Sequence, residues 1–235
     1  WPDETLNAYQ IGSKNRFMDN RLQLNGSFYY YAYLDYQVNA PMREYTYTVD
    51  GVEYTTMDRG DGSGGEATIY GLELATSYIL TQKDRVDFTA SYQNSEVSSL
   101  TFDYEYSDSL DVSGGRLNNS PKYTIFGSYQ HEFPLSNGGN VTARVESRYQ
   151  TETKIMMNAI YNQSILSVPE GMTVDGVNTE PAHHISNASI KFDAPSGAWN
   201  LNGYIKNIEN HAIKKNLLNG ALRIGPPRTY GIVLS

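Results

Sequence analysis

Four histidines, His131, His183, His184 and His211, are the side chains of this 235-residue sequence best suited to acid–base or metal chemistry. Catalysis needs a base and a nucleophile, or paired carboxylates, converging in one pocket, and no Ser or Asp stands in a catalytic spacing to any of these histidines. His183 and His184 each carry an imidazole that can ligate haem or a metal. Adjacent strand residues point to opposite faces, however, so the pair cannot grip one ion. Asp58 and Asp61, in Asp58-Arg59-Gly60-Asp61-Gly62-Ser63-Gly64-Gly65, look like part of a calcium loop. Such a loop needs oxygen ligands at its positions 1, 3 and 5, and glycines stand at the last two here, so a flexible tip is expected instead. No catalytic, cofactor or metal residue is predicted.

What the sequence has in excess is tyrosine: 20 Tyr beside 20 Gly, with no Cys. Tyr45, Tyr47, Tyr54, Tyr104, Tyr106 and Tyr161 fall in long polar stretches and offer the flat, hydrogen-bonding surfaces that binding sites favour. Asp103, Glu105, Asp108 and Asp111 make the Tyr104 region acidic, which suits a cationic or metal-bearing ligand. The blander reading of these residues is loop packing or contact with lipopolysaccharide. A second set, Glu73, Asp87, Arg144, Glu146, Arg148, Lys191 and Lys206, recurs at every other position of apolar segments. They read first as the hydrated wall of a lumen, paired with one another, and second as a device that steers an anionic substrate.

The segments that carry those charges share one pattern. In Asn140 to Gln150, Val141, Ala143, Val145 and Tyr149 point one way and Thr142, Arg144, Glu146, Arg148 and Gln150 the other. Thr68 to Leu80 sets Tyr70, Leu72, Leu74, Tyr78 and Leu80 against Ile69, Gly71, Glu73, Ala75 and Ser77; Arg85 to Gln93 repeats the alternation. Tyrosine-rich alternation of this kind suits a membrane β-barrel. No run approaches the roughly 20 apolar residues of a transmembrane helix, but barrel strands need only about 9 to 11 alternating ones. Mean hydropathy is -0.52, as in a soluble protein, because half of each strand is polar. A net charge of -8 gives nucleic acid no electrostatic footing. The absence of cysteine removes disulfides and thiolate metal sites.

Taken in order, the chain predicts about nine strands: 6–17, 22–39, 67–80, 85–98, 123–133, 140–150, 184–192, 199–206 and 228–235. Short turns at 18–21, 81–84, 134–139 and 194–197 alternate with long connections at 41–66, 99–121, 151–182 and 209–227, and no helix is required. Short periplasmic turns and long outer loops are the asymmetry of outer-membrane barrels. Nine strands that begin and end by descending cannot close antiparallel, so a curved segment of a larger barrel is expected, both edges pairing with further strands.

Four stretches together resemble the TonB-dependent outer-membrane receptors. Glu4-Thr5-Leu6-Asn7-Ala8-Tyr9-Gln10-Ile11-Gly12-Ser13-Lys14, with Leu22-Gln23-Leu24-Asn25 and Tyr29-Tyr30, is similar to the family's ET-x-x-YE-x-G-x-K strand pair. Gly71-Leu72-Glu73-Leu74, Tyr204-Ile205-Lys206-Asn207-Ile208-Glu209-Asn210 and Pro227-Arg228-Thr229-Tyr230-Gly231 resemble three later segments, in the family's order. The family usually ends in an aromatic residue a few positions further on, whereas this sequence stops at Ser235. The resemblance implies an all-β fold, the C-terminal part of a 22-stranded transmembrane barrel over residues 1–235. It further implies a receptor that imports a scarce nutrient, foremost a ferric siderophore or other iron chelate, with energy from the TonB complex. Its partners would be membrane lipid and lipopolysaccharide, the remaining strands, and a plug domain with the TonB box, both outside these residues. A passive porin or adhesin is the alternative; an enzyme is not expected.

Overall fold

The computed structural model describes residues 3–38, 40, 42–62, 64–156, 173–218 and 221–235. Nine strands form one antiparallel meander, in the spatial order β1 (Thr5–Phe17), β2 (Leu22–Tyr36), β5 (Gly65–Ile79), β6 (Asp84–Ser99), β9 (Tyr123–Pro134), β10 (Asn140–Gln150), β13 (His183–Asp193), β14 (Asn200–Lys206) and β17 (Thr229–Leu234). These are the nine expected from alternation, with ends moved by a few residues. Register runs unbroken from Thr5↔Leu34 to Phe17↔Leu22, and again from Asn140↔Asp193 to Gln150↔His183. Irregularities fall between Tyr33 and Tyr36 and between Glu66 and Ala67, where strands leave the sheet for the long connections.

A single sheet has no second layer, so its apolar side chains lie open on one face: Ile11 is 73% exposed, Ile190 61% and Ile232 75%. A bilayer is the solvent that face requires. On the other face, two glycines of the recognisable motifs have a physical role. A Cβ at Gly71 would lie 2.5 Å from the Tyr29 hydroxyl and 2.3 Å from the Tyr92 carbonyl oxygen. One at Gly231 would lie 2.8 Å from the Tyr204 hydroxyl. Each glycine sits directly opposite its tyrosine in register and lets the ring lie flat across the neighbouring strand.

The long connections are not the featureless loops expected from their polarity. Residues 41–66 contain a hairpin of β3 (Met42–Val49) and β4 (Val52–Arg59), turned at Asp50-Gly51 with both residues at positive φ, 51° and 79°. Asp-Gly between alternating Thr, Tyr and Val is a hairpin signal in its own right. Residues 99–121 contain β7 (Thr101–Phe102) paired with β8 (Leu110–Asp111). Beyond β10 come β11 (Thr153–Lys154), the one-turn helix α1 (Val174–Asn178) and β12 (Thr179–Glu180), so the expectation of no helix is corrected. Thr173 caps that helix by accepting from the Gly176 N–H. After β14, β15 (Lys214–Leu218) pairs with β16 (Ala221–Ile224).

Apolar burial is concentrated in these connections. Val97, Leu100, Phe102 and Val112 form one buried cluster, flanked by Val38, Ala40, Tyr104, Leu110 and Leu117; Ile155 and Val177 form another. The glycine-rich tip is part of this packing. Asp58 is buried, its carboxylate accepts the Tyr106 N–H at 2.9 Å, and Asp61 pairs with Asp103 through the backbone. A flexible tip is therefore wrong for Asp58 to Gly62. Its glycines are required because a Cβ at Gly62 would lie 2.2 Å from the Val38 carbonyl oxygen.

Candidate functional site

The polar face of the sheet brings together most of the charged residues expected to line a lumen. Arg144 Nε donates to Glu146 Oε2 at 3.1 Å and approaches Asp87 at 3.7 Å, while Arg85 pairs with Asp87 at 2.8 Å. Ser128, buried between them, donates to Asp87 at 3.3 Å. Glu146 accepts from Asn187 Nδ2 at 3.0 Å, and Arg148 lines the same face near the rim. Lys191 pairs with Asp193 at 2.7 Å, and the Lys206 ammonium sits 5.3 Å from the Tyr204 ring centroid. Glu73 stands apart, accepting from Ser27 at 3.1 Å, three strands away from Arg144 in the sheet. These groups compensate one another along the wall.

The loop tyrosines divide. Tyr45, Tyr47, Tyr54 and Tyr106 form one stack, with ring centroids 6.0 Å apart for Tyr45–Tyr47, 5.6 Å for Tyr47–Tyr54 and 5.1 Å for Tyr45–Tyr106. The Tyr106 hydroxyl donates to Glu105 at 2.5 Å, and this hydrogen bond, with the nearby negative charge, raises the phenol above its ordinary range. Tyr104 instead packs against the buried loop cluster, its ring under Gly60. Tyr161 lies outside the described residues. Asp111 is held below the usual carboxylate range by hydrogen bonds from Ser113.

Sequence reasoning missed a buried polar group at the rim. Glu180 is 1% exposed, and its Oε1 lies 2.7 Å from His211 Nε2 and 3.0 Å from His183 Nδ1. Its Oε2 accepts the Lys214 N–H at 2.7 Å. Asn207, in left-handed backbone at φ 53°, organises the approach. Its amide donates to the carbonyls of His211 (2.9 Å) and Pro226 (3.2 Å), and its Oδ1 accepts the His211 N–H at 2.9 Å. Its own N–H donates to Asn187 at 3.0 Å, tying the loop to the wall. Asn207 belongs to a segment that carried the family resemblance, which is the signal that could have found it. His184, as expected from alternation, points away from His183 and lies 3.5 Å from Glu209. His131 does meet a carboxylate, Asp84, at 2.5 Å, contrary to the absence of any His–Asp pairing in the sequence spacing. The pair comes from different strands joined in register at Asp84↔His131; the His131 ring meets Phe133 edge-on at 4.3 Å, and Tyr129 shares the carboxylate.

A one-layer antiparallel meander with an apolar outer face, a compensated polar inner face and folded loops at one end defines an outer-membrane β-barrel wall. The family model for the TonB dependent receptor-like beta-barrel matches residues 2–208. The chain belongs to that family, and its place is the outer membrane of a Gram-negative cell. Among similar solved structures is the ferric yersiniabactin uptake receptor FyuA from Yersinia pestis, at TM-score 0.67 and 16% identity, covering 98% of this chain and 29% of that one. BauA, the ferric preacinetobactin receptor from Acinetobacter baumannii, gives TM-score 0.64 and 13% identity over 100% of this chain and 29% of its own. The ferripyoverdine receptor of Pseudomonas aeruginosa gives 0.59 and 11%, over 98% and 27%. The chain thus spans under a third of the length of these structures. No curated protein matches the sequence. Family and fold are those of receptors and transporters rather than enzymes.

Proposed function

We propose that these residues form the C-terminal wall and outer loops of a receptor that captures an iron chelate, a ferric siderophore in particular, for active import. The observation that carries the reading is the tyrosine stack of β3, β4 and the β7–β8 loop, tied by the Tyr106 N–H to buried Asp58 and edged by acidic groups. Stacked phenols supply π surface and hydroxyl donors at little entropic cost, the recurring chemistry of ligand recognition. The known ligands of FyuA, BauA and the ferripyoverdine receptor, all ferric chelates by name, favour the same class here. On this reading β1 and β17 pair with the remaining strands of a 22-stranded barrel, a plug fills the lumen against Glu73, Asp87, Arg144, Glu146, Arg148, Lys191 and Lys206, and TonB supplies energy through the plug. Lipid and lipopolysaccharide cover the apolar face.

The test uses the full-length receptor with Tyr45, Tyr47, Tyr54 and Tyr106 replaced together by Ala. Affinity for ferric triscatecholate, hydroxamate and phenolate siderophores is compared with that of the unsubstituted receptor. Loss of at least tenfold for one class, with normal membrane insertion, supports the assignment. Unchanged affinity for a chelate that the parent binds removes the stack from the site. A passive pore is separated by planar-bilayer conductance: a plugged receptor is closed at rest, and constitutive ion current overturns the receptor reading.

A further inference from the structure

We infer that Glu180, His183 and His211 constitute a binding site for a divalent first-row transition ion, zinc being the type, that clamps two outer loops together. The three donor atoms lie within 4.8 Å of one another. Glu180 lies in the connection leading into β13, His183 opens that strand, and His211 lies in the connection after β14. An ion held by all three therefore joins two segments that are separate in sequence. Two imidazoles and one carboxylate, with a position left for water, are the donor set of a borderline ion such as Zn²⁺ rather than of Ca²⁺ or Mg²⁺.

Burial argues in the same direction. Glu180 is almost wholly removed from water, and the ion pairs it makes among the described residues are to the two histidines. A carboxylate so placed requires compensation by positive charge, and a divalent ion bound by neutral imidazoles provides it without charging either ring. The supporting groups are those a metal centre needs. The second carboxylate oxygen is fixed by the Lys214 N–H, and the His211 backbone is fixed in both directions by Asn207. His183 Nδ1, the nitrogen that faces Glu180, also lies 2.9 Å from the Pro181 carbonyl, so ligation requires this nitrogen to give up its proton and that hydrogen bond.

Ligands of a tetrahedral zinc stand about 3.4 Å apart, given bonds near 2.0–2.1 Å. The present oxygen–nitrogen separations of 2.7 and 3.0 Å are those of a hydrogen-bonded form, in which a proton occupies each gap. The two rings stack 23° from parallel at 4.7 Å, so capture requires a ring to turn and bring both lone pairs to one point. His211, with 30% of its side chain exposed against 6% for His183, is the ring free to turn and marks the entry side. Ring rotation about the last side-chain torsion is soft.

The experiment takes the full-length receptor in detergent, stripped with EDTA, and titrates ZnCl₂ against a competing chromophoric chelator, with CoCl₂ as a visible-absorption probe. One saturable equivalent is expected, with four-coordinate cobalt bands. Glu180→Gln and His211→Ala should weaken it at least tenfold, and His184→Ala should leave it unchanged. Heat-modifiable electrophoretic mobility checks folding, and His211→Asn replaces His211→Ala if that variant fails it. No saturable zinc in the parent, or equal affinity in the folded His211 variants, overturns the site and leaves a proton-bridged triad. Zinc should also slow tryptic cleavage after Lys154, Lys214 and Lys215 several-fold in the parent and not in the His211 variant. Binding without that protection overturns the clamp. None of these readouts involves a siderophore, so a different cargo does not affect them.

Discussion

The wall and the outer loops of this chain are stabilised in opposite ways. In the wall, apolar side chains face outward and few residues are buried, Tyr29, Ser95 and Ser128 among them. Around the loops, Val97 at the end of β6 packs with Leu100, Phe102 and Val112 as in a small soluble domain, and Asp58, Asn178 and Glu180 are buried polar groups of the connections. The wall depends on an unbroken backbone ladder and on a lipid solvent, so its errors are errors of register and close approach. The loops depend on particular side chains satisfying particular backbone groups, so their errors are local. The division suits the proposed receptor: a wall that does not yield carries loops that can be specific.

The sharpest way to break the wall is to add volume where strands touch. In Gly71→Val the new Cβ meets the Tyr92 carbonyl oxygen, which no side-chain rotation relieves. A loss of about 3 kcal/mol or more is expected. Heat-modifiable mobility of the full-length receptor should show little folded barrel in membranes. Normal assembly would mean that the strands can separate at this point, against the continuous β2–β5–β6 register.

The corresponding loop test is Asn207→Ala. It removes three side-chain hydrogen bonds and strands the His211 N–H and the Pro226 carbonyl, for a cost of about 1–3 kcal/mol. The left-handed φ of 53° adds to it, since Asn tolerates that region better than Ala. Hydrogen exchange should accelerate at His211 and Lys214 while the β10 and β13 amides stay protected. Loosening of both strands as well would show that loop and wall unfold as one unit, and the contrast drawn above would fail.

The same contrast explains what could be read from the sequence. A strand with solvent of one kind on each side writes its two faces as alternation, so Asn140 to Gln150 shows its faces without tertiary knowledge, while its register comes from the structure. Nothing periodic announces that Asp58 is buried beneath Tyr106 or that Glu180 meets His211, because the partners are 48 and 31 residues apart and each belongs to a non-repeating stretch. Adjacency in the sequence invites His183 and His184 to be read as a pair. The geometry sends one to Glu180 and the other to Glu209. Asp50-Gly51 was the overlooked signal: a two-residue turn between Thr- and Tyr-rich runs marks a hairpin even inside a polar connection.

A smaller effect is expected at Arg144, whose partners Asp87 and Glu146 share a hydrated face. Arg144→Ala should change stability by less than about 1 kcal/mol, because ion pairs open to water contribute little. A thermal shift too large for a single exposed pair would make the wall charges a structural network rather than a hydrated lining. The measurement belongs in the full-length receptor, where a plug would face the same residues.

The finest test uses acid to separate loop from wall. Burial pushes the Glu209 carboxyl upward, but hydrogen bonds from Ser186 outweigh it and hold the group below the ordinary range. The Ser186 N–H donates to Glu209 at 2.8 Å at the point where β13 leaves the loop. With its folded pKa depressed, this carboxylate stabilises the loop above its unfolded pKa, near 4.3, and the contribution is lost as pH falls through the folded value. Lowering pH from 7 toward 4 and below should therefore raise exchange at Ser186, after correction for intrinsic rates, by an amount below about 1 kcal/mol. Glu209→Gln should show the weakened protection already at neutral pH and lose the acid dependence. The Ala143 and Val145 amides, in the wall ladder, should not respond over the same range. If they move together with Ser186, acid is acting on the barrel as a whole, and the Glu209 hydrogen bond is not what holds this corner of the loop.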